Sequence, residues 1–304
     1  MLVPPVGSTR GLLRLATLAL ASACTGSGTP DGAKALPADV VVYMGPTSAA
    51  HDAAEPVTPD ASPPADTGAS PADVHTEPED AAPTGARAPL VFVFTHTTGY
   101  RHAAIEAATL ALKNALGPLG ITVETGADPK VFTPAELARF GGVVLMSTTG
   151  KPLGDPGTAA LDALSGFVRA GGGLAGIHAA SSTEYDPALP YVPLVGGKFV
   201  DHPGSVRAGV CHVDSTFAGV ARLPHDFPLR DEFYAFSNLR ADNQIDLSCD
   251  AVTGNGRLPI AWHRDEGAGR VFYTALGHDA VEFAAGNKVL ADHMVPGILW
   301  TLGR

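Results

Sequence analysis

The chain is poor in cysteine: only Cys24, Cys211 and Cys249 occur in 304 residues, and no two of them form a CxxC pair. That excludes a zinc ribbon, a thioredoxin-type redox pair and a disulfide-dense secreted scaffold. Basic residues are also scarce, 20 Lys and Arg against 31 Asp and Glu, and they form no stripe. A net charge of −11 without a basic face argues against nucleic acid as a partner. No internal repeat, phosphate-binding P-loop or GxSxG nucleophile elbow is present.

Acidic residues are missing from residues 1–24, which carry Arg10 and Arg14, then the apolar run Leu15 to Ala23, then Cys24. The run is too short to span a bilayer and reads as the core of an export signal. Leu20-Ala-Ser-Ala-Cys24 resembles a bacterial lipoprotein signal, with Ala21 at the place where Leu is preferred. The resemblance implies lipidation of Cys24 and export to the cell envelope, with the lipid anchor as the only membrane contact. Thr25 after the cysteine, in place of Asp, favours the outer membrane or cell surface. A plain secretory signal cleaved near Ala23, giving a secreted protein, is the alternative.

Residues 25–88 have almost no aromatic residues and are rich in Pro, Ala, Asp, Thr and Ser, with ten acidic residues against two basic ones. Such a composition cannot bury enough apolar surface to offset chain entropy, so an acidic disordered tether is expected. Its single apolar patch is Val40-Val-Val-Tyr-Met44. Export to an oxidising compartment would leave Cys211 and Cys249 as a disulfide pair. It would close a loop of roughly 40 residues and contribute about 4 kcal/mol on the chain-entropy model. Two buried free thiols are the other reading.

Residues 89–304 alternate strand and helix. Leu90 to Phe94, Ile121 to Glu124, Gly142 to Met146 and Leu174 to Ile177 are apolar runs of strand length. Helices are expected over 103–116, from Thr133 as N-cap with Pro134 at N1, and from Asp155-Pro156 to about Ala170. The alternation demands an α/β fold, a mostly parallel sheet with helices on both faces. Further on, Arg207 to Val213 reads as an edge strand, and Glu232 to Phe236 as a strand. Leu258 to Trp262 and Gly269 to Ala275 read as two more, with a turn between them. A last helix over 287–302 is kinked or restarted at Pro296.

The glycine-bracketed strand Gly171 to Ile177 ends at His178, and ligands bind at the carboxyl edge of such sheets. The first strand ends in a loop holding His96 and His102, so these fall on the same rim. His202, Glu232 and His278 also lie at strand ends or in the loops beyond. Several imidazoles and a carboxylate converging on one rim suit a divalent metal such as zinc, with His102, His178, His202 and His278 as candidate ligands. The same set could work without metal, with His178, His278 and Glu232 as catalytic acid and base. Histidines bracing loops by hydrogen bonds are the structural alternative.

Gly99-Tyr-Arg-His102, Gly176-Ile-His178, Gly197-Lys-Phe-Val-Asp-His-Pro203, Asp231-Glu-Phe-Tyr234 and Trp262-His-Arg with Leu276-Gly-His278 stand in one order along the chain. Together they resemble the ThuA-like, trehalose-utilisation family over residues 89–304. The resemblance implies the flavodoxin-like fold of class I glutamine amidotransferases and a carbohydrate substrate, a keto-disaccharide or a glycoside. True amidotransferases of that fold carry a nucleophilic Cys at a Gly-rich turn and a His-x-Glu on a later strand. Here His178 stands at the first place and His278-Asp279-Ala280 at the second, so thiolate chemistry and glutaminase activity are excluded. Within this reading Arg101, His102, Tyr100 and Tyr234 are candidate substrate-binding residues. Envelope-tethered hydrolase, lyase or isomerase chemistry on a sugar is the expected function; a non-catalytic carbohydrate- or protein-binding module is the alternative.

Overall fold

The computed structural model describes residues 89–154, 157–186, 189–202, 206–250 and 256–304. The export signal of 1–24 with Cys24, the tether of 25–88, and the helix start at Asp155-Pro156 lie outside the described residues.

Strands β1 (Leu90–Phe94), β2 (Thr122–Gly126), β3 (Gly142–Met146) and β4 (Gly173–Ile177) form in chain order, with β3 and β4 buried at every position. Helix α1 (Ile105–Leu116) links β1 to β2, and a short helix α2 (Pro134–Leu137) precedes β3. Thr133 caps α2, its Oγ1 accepting from Glu136 N at 3.3 Å, as a Thr-Pro-x-Glu start should. Helix α3 (Thr158–Arg169) then links β3 to β4.

Beyond β4 come α4 (Tyr191–Val195), β5 (Lys198–Asp201), β6 (Arg207–Val213), β7 (Asp226–Asp231), β8 (Ala235–Ser237), β9 (Gln244–Asp250), β10 (Arg257–Glu266), β11 (Gly269–Thr274) and α5 (Val295–Thr301). The main sheet runs β2-β1-β3-β4-β11-β10-β9-β6-β7, and β5 pairs with β8 in a small second sheet. Pairings from β2 through β11 are parallel, the flavodoxin-like order; those from β11 through β7 are antiparallel. From β1 to β2 and from β3 to β4 the chain moves in opposite directions across the sheet. Right-handed crossovers therefore put α1 and α3 on opposite faces. Gly173 lets α5 pack tightly there, since a Cβ would lie 2.6 Å from Thr301 O.

The edge of the sheet differs from the expectation. β6 is covered by β7, and β7 is the edge strand. Its sequence DFPLRD carries the exposed Asp226, Pro228 and Arg230, features that blunt an exposed edge and hide the strand from a reading of apolar pattern. Glu232 to Tyr234 are not in a strand; only Ala235–Ser237 pair. The last helix departs from regular geometry before Pro296: residues Leu290–Met294 form a π-helical turn and α5 follows. Proline cannot donate to the preceding carbonyl, and a widened turn accommodates it. No helix among the described residues is long and apolar enough to cross a membrane.

Cys211 and Cys249 are opposed across β6 and β9, fully buried, with Cα atoms 4.0 Å apart, and form a disulfide. His293 is buried between Gly219 O, 2.8 Å from Nδ1, and Thr274 Oγ1, 3.0 Å from Nε2. Burial pushes its pKa down to about 4 from 6.5. The unfolded chain therefore binds one more proton than the folded chain between those values, and stability present above pH 6.5 is lost as the pH falls toward 4. Urea unfolding at several pH values should show a slope reduced by up to about one proton in His293→Gln over that window. An unchanged slope would contradict the assignment.

Candidate functional site

His178 follows β4 directly, and its φ of 51° lies in the left-handed region. A non-glycine residue held there is strained by about 1–3 kcal/mol, and the surroundings must over-determine it. They do so with buried phenols. Tyr273 Oη donates to His178 O at 2.7 Å and Tyr191 Oη to Ala180 O at 2.6 Å, while Ser181 Oγ lies 2.7 Å from Tyr273 Oη. His178 Nδ1 lies 2.6 Å from Ala275 O. A carbonyl only accepts, so Nδ1 carries the proton and Nε2 presents its lone pair toward His102 and Tyr234.

Three side chains meet that lone pair. His102 Nε2 lies at 3.1 Å, Tyr234 Oη at 2.9 Å and Glu232 Oε2 at 3.7 Å. His278 Nδ1 is 3.0 Å from Glu232 Oε2 without the alignment of a hydrogen bond. One donor atom each from His102, His178, Glu232 and His278 all fall within 4.8 Å of one another. Two nitrogens about 2.05 Å from one tetrahedral zinc stand roughly 3.3 Å apart; three of the separations here, 3.0–3.7 Å, lie near that spacing, and the whole group falls within 4.8 Å. His102 Nδ1 and His278 Nδ1 are buried atoms without hydrogen bonds.

The other expected residues divide. His202 lines the pocket with Nδ1 3.9 Å from Glu232 Oε1, and it is Glu232, not His202, that completes the tight group of four. Tyr100 stands on the rim, 69% exposed, edge-on to His102. Arg101 is not brought to the pocket. Its Nη1 donates to Thr95 O at 2.9 Å and its Nη2 to Glu106 at 2.6 Å, on the outer side of the loop. That pairing is with a carboxylate five positions on, and Arg101 is not among the residues lining the pocket. His96 lies edge-on to Phe94, outside the group.

The pocket encloses about 350 Å³ and adds Thr149, Ala179, Ser182 and Phe199 to its lining. Phe199 packs on Tyr234 with ring centroids 4.5 Å apart. His102 is pushed down to about 4, first by burial and then by His278 and His202. His178 falls well below 6.5, first by burial and then by His102. Both are therefore neutral imidazoles at neutral pH, with lone pairs available. Burial also raises Tyr234 well above 10 and keeps it a phenol.

Sequence reasoning missed the carboxyls behind the site. Asp231 is fully buried; Oδ1 accepts from Glu232 N at 2.7 Å and Oδ2 from Gly277 N at 2.9 Å, tying together the two segments that carry Glu232 and His278. Gly277, at φ 114°, makes that turn possible. Glu282 is raised first by burial and then by the charge of Asp231, so the buried pair retains a proton. The Asp-x-x-Glu spacing of Asp279 and Glu282, a capping box, is the visible signal for Glu282. Asp231 opens the Asp231-Glu-Phe-Tyr234 motif, which points to it without giving it a role.

A five-stranded parallel half in flavodoxin-like order, an antiparallel extension and a histidine at the strained turn after β4 define a glutamine amidotransferase-like α/β domain without a nucleophilic cysteine. Residues 90–301 match the ThuA family, described as trehalose utilisation, and the chain belongs to that family. The fold is shared with a ThuA-like protein from Bacteroides uniformis, at 21% identity and TM-score 0.58, covering 74% of this chain and 95% of that one. It is also shared with one from Parabacteroides merdae, at 19% identity and TM-score 0.56, covering 70% and 89%. No functionally curated protein matches the chain significantly.

Proposed function

We propose that the chain is a sugar-directed enzyme whose centre is a divalent metal, zinc by its donor set, held by His102, His178, Glu232 and His278. The observation that carries this is the convergence of three imidazoles and one carboxylate within 4.8 Å, with His178 already fixed in the ligating tautomer. A bound ion would supply Lewis acidity toward a carbonyl or hydroxyl oxygen. His202, 3.9 Å from Glu232, faces the same pocket as a proton carrier. Tyr234, a neutral phenol hydrogen-bonded to His178, donates to a sugar oxygen once that nitrogen is engaged. The ring face of Phe199 and the exposed ring of Tyr100 offer apolar platforms to a pyranose.

A pocket of about 350 Å³ is within the range of small-ligand sites, and the family description supports a carbohydrate. The reaction class that suits a neutral phenol beside a carboxylate is proton transfer at or next to a sugar carbonyl, or hydrolysis of a glycoside. The export-type sequence of residues 1–24 supports an envelope location with Cys24 as lipid anchor, and the lack of a basic stripe supports a partner other than nucleic acid. Screening keto-disaccharides and glycosides with the zinc-supplied full chain tests the reading. The expected result is turnover that falls by about 10²–10⁴-fold in Tyr234→Phe with the metal retained. Full turnover in that variant, or none of these sugars bound or converted by the unaltered chain, would overturn it.

A further inference from the structure

A second cavity, of about 410 Å³, adjoins the pocket, with Tyr185, Leu189, Val192, Lys198, Asn238 and Arg240 in its lining. Its volume also falls in the range of small-ligand sites. The two cavities meet across one hydrogen bond, since Tyr185 Oη donates to Ser182 Oγ at 2.7 Å and Ser182 lines the first pocket. On β5 the neighbours Lys198 and Phe199 line the second and the first in turn. The fold builds this cavity where α4 gives way to β5. Gly196, at φ 101°, ends α4, and its carbonyl accepts from Arg240 N at 3.0 Å and Asn243 Nδ2 at 2.7 Å. Lys198 then pairs with Ser237 across the small sheet, and the exposed Asn238 that follows β8 holds φ 53°. Left-handed backbone in a non-glycine residue collects at ligand seats.

The two cations of the lining differ. Arg240 is neutralised: Nε and Nη2 donate to Asp242 at 2.7 and 2.5 Å, and Nη1 donates to Glu266 at 3.2 Å. Lys198 has no carboxylate partner among the described residues, and its Nζ lies 5.2 Å from the centroid of the Tyr185 ring. In a chain of net charge −11, this cavity thus keeps one positive charge uncompensated. We propose that it seats the second unit of a sugar substrate, and that Lys198 selects a unit bearing a carboxylate, such as a uronic acid. The inference rests on the sugar-directed reading of the first pocket. One ammonium balances one carboxylate, and the Asn238 amide at the rim supplies a neutral donor beside it. Leu189 and Val192 add apolar wall for the C–H face of the ring.

Ligand-observed NMR titration of the full chain with glucuronic acid, glucose and glucose 6-phosphate, without added metal, tests this. Glucuronate should bind at least about tenfold more tightly than glucose, as a charge-assisted hydrogen bond allows. The preference should vanish in Lys198→Met, return in part in Lys198→Arg, shrink at high salt and persist in His278→Ala. Equal affinity for the acid and glucose, no binding of either, or a preference that survives Lys198→Met would overturn the proposal. So would a preference abolished by His278→Ala, which would put the acid in the first pocket, or tighter binding of glucose 6-phosphate than of glucuronate. The readout needs neither metal nor turnover. Failure of sugar chemistry at the group of four would leave a glucuronate preference at Lys198 standing, and loss of that preference would leave turnover of neutral glycosides untouched.

Discussion

His278→Ala should lower zinc affinity by more than about 100-fold and reduce turnover to near background while leaving the melting temperature almost unchanged. Loss of a group one shell further out already costs about 10–100-fold in affinity, and His278 Nδ1 belongs to the innermost group. The side chain is 21% exposed and makes no hydrogen bond through that nitrogen, so its removal opens little of the core. His178→Ala should lose metal to the same degree and also destabilise the fold. That ring is fully buried, and its bond to Ala275 O helps hold the strained turn. Competition titration against a zinc chelator, read beside thermal unfolding, separates the two. If His278→Ala binds zinc as tightly as the unaltered chain, the group of four is not a metal site.

Replacing both cysteines, Cys211→Ala with Cys249→Ala, should lower stability by about 4 kcal/mol, because the bond closes a loop with a sequence separation of 38. For a domain of this size that corresponds to a fall of about 8–16 °C in Tm. The bond sits between β6 and β9, the inner pair of the antiparallel extension, whose outer partner β7 is short and interrupted by proline. The extension should therefore unfold first in the variant, read as early loss of amide protection in β6, β7 and β9. A shift of less than about 2 °C would mean that strand pairing alone holds the extension.

Much of the parallel half was legible because β1, β3 and β4 are buried almost throughout and read as continuous apolar runs. The extension was harder. β9 alternates Ile245, Leu247 and Cys249, a period-2 signal in plain view, yet its flanking acids resemble a loop. β7 was hidden by Pro228, and β6 was accordingly mistaken for the edge. At the site, the rim positions of His102, His178 and His278 follow from strand ends. Their grouping with Glu232 in place of His202 depends on how the segment after β7 folds back, which pattern does not encode. Arg101 shows the same limit at one side chain: its nearness to His102 in sequence said nothing about its pairing with Glu106.

Elemental analysis of the full chain after zinc loading and exhaustive desalting tests most directly whether the three histidines and one glutamate hold a metal. One zinc per chain, falling below about a tenth in His278→Ala and persisting in His202→Ala, is the predicted result. No retained metal, or equal zinc in all three proteins, would contradict it.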